Sequence, residues 1–171
     1  MATVSDRRPT GTGSPRVELY VRALAAADGR GPQDAILDRV RALTADERID
    51  DFEVRVWGHR IGLSTTTART DAGRAVLDRL AAFRSWADTA GVSLADAFRV
   101  RETTTPVTGE CHAVVDLPPF LLAEYREGEL THVTPHVDDG TVRTVADRLA
   151  TLADRPANEM GRPDHAIVPE R

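Results

Sequence analysis

Apolar and polar positions along this chain change period several times, and each change marks an element. Val17, Leu19 and Val21 alternate with Glu18, Tyr20 and Arg22, the two-residue period of a half-buried strand. Gly29 and Gly31 interrupt that run, and Pro32 suits the first turn of a helix. Ile36, Leu37, Val40 and Leu43 then recur at helical spacing, with Asp34, Asp38, Arg39 and Arg41 mostly off the stripe. After Arg48 the period returns to two, with Phe52, Val54 and Val56 set against Glu53, Arg55 and Trp57. Gly58-His59 offers a turn into a second short strand with Ile61 and Leu63. Residues 65–69 read as a polar link.

Thr70, followed by Asp71, predicts the start of a long helix, because a hydroxyl cap and an early negative charge both suit a helix N-terminus. Val76, Leu77, Leu80, Phe83 and Ala87 form its apolar face. Gly91 can take the left-handed backbone that ends a helix. Ser93 is placed to cap a second helix, with Asp96 where a capping box normally has Glu or Gln. The stretch RSWADTAGVSLADAFRV, residues 84–100, thus predicts helix, tight turn and helix. That unit is a standard way to set a helix in the major groove of DNA.

Two β-rich runs follow, 99–104 and 111–117, joined by a loop with Pro106 and Gly109. Pro118 and Pro119 break the pattern. Residues 120–125 and 129–133 flank Glu127-Gly128 and read as a hairpin. Thr144, with Asp147 three residues on, opens a last helix with Val145, Leu149 and Leu152 inside. The order predicts an α+β fold with helices on one side of a mainly antiparallel sheet. Residues 1–15 and 155–171 predict disordered tails around a single domain at 16–154, with a helix-turn-helix-like segment at 70–100.

Composition changes this picture in three ways. All 22 basic residues among the 171 are arginine, and the net charge is −5. A GC-rich genome and a salt-adapted cytoplasm both account for that choice. An acidic chain lacks the basic footprint of a DNA binder. In molar salt, however, the screening length falls to about 3 Å and long-range attraction contributes little. No apolar run approaches the roughly 20 residues that span a bilayer, and the first residues lack an apolar signal region. The single Cys111 excludes an internal disulfide and fits a reducing compartment. A cytoplasmic chain that does not enter the membrane is expected.

The blocks VELYVRAL, DFEVRVWGHRIGLS, ARTDAGRAVLDRLAAFRSWADTAGVSL and LPPFLLAEYREGELTHVTPH resemble a group of small haloarchaeal proteins labelled as helix-turn-helix domain proteins. The resemblance covers residues 16–152. It implies a halophilic archaeal cytoplasm and a role in DNA binding, and it favours salt adaptation as the reason for the missing lysine.

Within the helix-turn-helix reading, Arg84, Ser93, Arg99 and Arg101 are the candidate DNA contacts, since a planar guanidinium suits phosphate. Asp88 and Asp96 oppose them. The competing reading is that Leu94, Ala97 and Phe98 simply dock a short helix on the core. His132 and His136, with Asp138, Asp139 and Cys111-His112, contain zinc-ligand types. Positions four apart in a strand lie about 13 Å apart, so no metal site is expected. Cys111 and His112 would point to opposite faces of a strand, so no nucleophilic pair forms and Cys111 reads as a small buried hydrophobe. Glu124, Glu127 and Glu129 read as a solvated face. Trp57 is either a partly exposed interface aromatic or covered by the long helix. The function expected is a non-enzymatic, DNA-associated regulator without a cofactor, bound to double-stranded DNA as a homodimer. The alternative is a protein-interaction or small-ligand-binding module whose sheet edge or apolar pocket lies within residues 99–133.

Overall fold

The computed structural model describes residues 13–23 and 31–155, so the expected tails fall almost wholly outside the described residues. Strand β1 (Arg16–Val21) leads through helix α1 (Pro32–Ala45) to β2 (Asp51–Val56). A short strand β3 (Arg60–Gly62) precedes helices α2 (Thr65–Arg69) and α3 (Asp71–Ala90). Strands β4 (Arg99–Thr104), β5 (Cys111–Asp116), β6 (Phe120–Arg126) and β7 (Glu129–Thr134) follow. A small hairpin of β8 (His136–Asp138) and β9 (Thr141–Arg143) then meets the last helix, α4 (Val145–Asp154).

The strands form a four-stranded sheet in the order β2-β1-β6-β7, a three-stranded sheet β3-β5-β4 and the pair β8-β9. Among the described residues only the β1–β2 pairing is parallel, as its helical crossover requires. The α+β class therefore holds. The helices, however, divide between both faces of the larger sheet instead of gathering on one. Alternation along β1 and β6 explains this, because both strands bury residues on both faces. Val17 and Leu122 join a core with Val40 and Leu43 of α1 and Val145, Leu149 and Leu152 of α4. Tyr20, Leu121 and Ala123 join the other core, with Leu80, Phe83 and Ala87 of α3 and Ile61 and Val115 of the second sheet.

Two carboxylates sit inside this sheet. Glu124, expected on a solvated face, is 0% exposed and receives both the Nε and an Nη of Arg148, tying α4 to β6. Glu18 is 2% exposed and accepts from Tyr20 Oη at 2.6 Å. It also lies against Arg55 at 3.4 Å and Arg79 at 3.5 Å, and Arg79 donates to Tyr125 Oη at 2.9 Å. Burial, with Glu18 beside them, raises the pKa of both tyrosines, so they stay protonated donors. Buried charges survive only with such partners, and both acids have them.

The polar link expected at residues 65–69 is instead a short helix. Ser64 Oγ accepts from the Thr67 amide at 3.2 Å and starts it. Thr70 ends α2 and caps α3, accepting from the Gly73 amide at 3.0 Å. A side chain at Gly73 would strike the Thr67 carbonyl, so glycine is what lets the two helices meet this closely.

Candidate nucleic-acid interface

Helix α3 ends as its spacing predicts. Gly91 takes φ 71°, and the Val92 amide reaches back to the Ala87 carbonyl at 3.0 Å. The helix expected over residues 93–100 does not form. Ser93 instead joins an isolated antiparallel bridge with Val137 of β8, through two backbone bonds of 2.9 and 2.8 Å. One turn follows, in which Ala97 and Phe98 both donate to the Leu94 carbonyl at 3.0 Å. At Arg99 the chain enters β4, whose residues pair with β5 from Arg99↔Asp116 to Thr104↔Cys111. Two strand pairings thus fix both ends of the segment, and six-residue spacing leaves room for a single turn. Ser93 keeps a local capping role, with Oγ accepting from the Ala95 amide at 3.2 Å.

The same segment closes the core. Leu94 and Phe98 are 6% and 5% exposed. The Phe98 ring lies 5.9 Å from Trp57, edge to face, and stacks 6.4 Å from Phe83. Trp57 is therefore covered, partly by Phe98 and by Tyr20 at 4.8 Å, and its Nε1 donates to the Pro118 carbonyl at 3.3 Å. The exposed apolar residue of that region is Val56.

The four candidate contacts surround this plug on two depressions that share Ser93. Arg84, exposed on α3, borders one of them with Asp88, Ser93 and Phe98. Arg99 and Arg101, both exposed on β4, border the other. Arg101 Nε pairs with Asp116 Oδ2 at 2.5 Å, whereas the Arg99 side chain has no hydrogen bond or ion pair among the described residues. Arg22, at the end of β1, also faces the second depression, with its Nε on the Leu117 carbonyl at 2.8 Å. Neither Arg22 nor Asp116 was legible as a site residue. Arg22 follows β1 of the larger sheet and Asp116 ends β5 of the second, and no local spacing announces their meeting with β4. Arg22, Arg84, Arg99 and Arg101 thus stand against Asp88, Asp96 and Asp116 on this surface.

His132 and His136 are not far apart. The chain bends at Pro135 between β7 and β8, and the two rings stand 5.2 Å apart, both against Trp86. Trp86 donates from Nε1 to the Thr131 carbonyl at 3.0 Å, and His136 Nδ1 donates to the Val133 carbonyl at 2.7 Å. Burial, then the charge of Arg148, pushes the His132 pKa down to about 4. Among the described residues no group of three or more His, Cys, Asp or Glu is arranged to hold a metal ion. Cys111 is exposed at the start of β5, not buried, because it lies at the far end of the β4–β5 pair, away from the core.

A model of a helix-turn-helix domain family matches residues 9–157. The chain belongs to that family. The match covers every described element, so the helix-turn-helix domain includes both sheets and is not confined to α3 and its turn. No curated protein and no solved structure matches the chain. No helix among the described residues of this helix-turn-helix protein is long and apolar enough to cross a membrane.

Proposed function

We propose that the protein is a non-enzymatic, DNA-associated regulator of transcription in the cytoplasm of a halophilic archaeon, acting on double-stranded DNA as a homodimer. The observation that carries this reading is membership of a helix-turn-helix family over residues 9–157. The absence of lysine among 22 basic residues supports the halophilic host. Arg84, Arg99 and Arg101 are the phosphate contacts, set around Ser93 on a surface of loop and strand. A strand can present side chains to DNA as a helix does, so the loss of the second helix moves the contact to β4 without removing it. Two copies add two such weak patches.

The test is a gel-shift or genome-wide pull-down at high potassium chloride. Three phosphate contacts in each copy, six in the dimer, give log K against log salt a slope of about −5.4. Replacing Arg84, Arg99 and Arg101 together by Ala abolishes that slope while leaving the fold intact. No enrichment of any DNA across the salt range overturns the proposal. The rival reading is a protein-interaction or ligand-binding module that never meets DNA. It is favoured by the burial of Leu94 and Phe98, which leaves the segment no protruding helix.

A further inference from the structure

We infer that the depression between β4, the end of β1 and the β8–β9 hairpin binds a small organic monoanion, a carboxylate carried on an apolar body. The cavity holds about 400 Å³, within the range of small-molecule sites. Three arginines line it, Arg22 just after β1 of the larger sheet and Arg99 and Arg101 on β4 of the second. Arg22 donates from Nε to the Leu117 carbonyl and Arg101 pairs with Asp116, and the terminal amino groups of both make no hydrogen bond among the described residues. Arg99 uses none of its donors. Donors left unused beside one another are the arrangement that captures a carboxylate through bidentate bonds.

Charge and surface narrow the class. Asp96 and Asp116 share the cavity, so three positive charges meet two negative ones and a single anionic charge balances them. A phosphate dianion meets repulsion from both aspartates. The remaining wall is largely apolar, with Leu117, Pro118, Pro135, Val137 and Val142. Val142 is 55% exposed at the rim, apolar surface that an apolar ligand body would cover. Val137 is held in place by its bridge to Ser93, so this wall is built before any ligand arrives. The inference does not depend on DNA binding, and its test contains no DNA.

The full chain is titrated with hexanoate and benzoate, with hexanol and benzyl alcohol as neutral counterparts and inorganic phosphate as a third probe. Amide shifts in a nitrogen–proton NMR spectrum report the binding. The expected result is saturable shifts at Arg99, Val137 and Val142 with a carboxylate, and binding at least tenfold weaker for its alcohol, a difference of about 1.4 kcal/mol. Arg99→Ala weakens the carboxylate about tenfold, and Asp96→Asn strengthens it, while both spectra stay folded. Equal binding of acid and alcohol overturns the inference, as does preference for phosphate. Absence of any shift with both carboxylates overturns it too. A DNA-binding failure in the separate gel-shift leaves this result untouched.

Discussion

Phe98→Ala distinguishes a core plug from an exposed helix more sharply than any other single change. On a protruding second helix, an outward Phe98 would cost almost nothing to truncate, since exposed substitutions stay within about 0.5 kcal/mol. In the fold described here the ring is 5% exposed and sits against Trp57 and Phe83. Truncation removes a buried ring and leaves a cavity lined by two other aromatics. That class of change costs about 3–5 kcal/mol. For a domain of this size the melting temperature should fall by about 10–15 °C. The measurement is thermal unfolding followed by near-ultraviolet circular dichroism at one fixed salt concentration, beside Val107→Ala as a control. Val107 is 90% exposed, so its truncation should leave the transition unmoved. A loss under about 1 kcal/mol for Phe98→Ala would refute the plug, because no buried aromatic in a packed core is that cheap to remove.

Three further outcomes concern the interior and the end of α3. Arg148→Met leaves Glu124 charged and unpaired in the core and should cost about 3–5 kcal/mol in urea unfolding; adding Glu124→Gln should return much of it, and failure to do so would mean the pair is not isolated. His132 stays neutral in the fold down to about pH 4, while the unfolded chain protonates it near 6.5, so stability should fall by about 3 kcal/mol as pH drops through that window. His132→Phe should flatten the loss, and an unchanged pH profile would count against a buried neutral ring. Gly91→Ala forces a side chain into φ 71° and should cost about 1 kcal/mol, with Gly91→Asn costing less. Equal melting temperatures for the three would show that α3 does not end in a left-handed cap.

Local periodicity alone determined most of the elements of this protein. The strand at Val17, the helix after Pro32, the Thr70 and Thr144 caps, the Gly91 stop and the Glu127-Gly128 hairpin each depend on residues within a few positions of one another. Such signals are complete in the sequence because helix caps and turns are short-range. Tertiary structure decided the rest. Residues 93–98 carry a cap and helical residues, yet a bridge to Val137 and the β4–β5 ladder override them, since pairing partners distant in sequence outweigh a weak local propensity. Glu124 looked solvated because its partner Arg148 lies on another element, and Arg22 met Arg99 only once two sheets had been folded against one another. A buried charge and a convergent cavity are both properties of long-range contacts, and no spacing along a single strand encodes them.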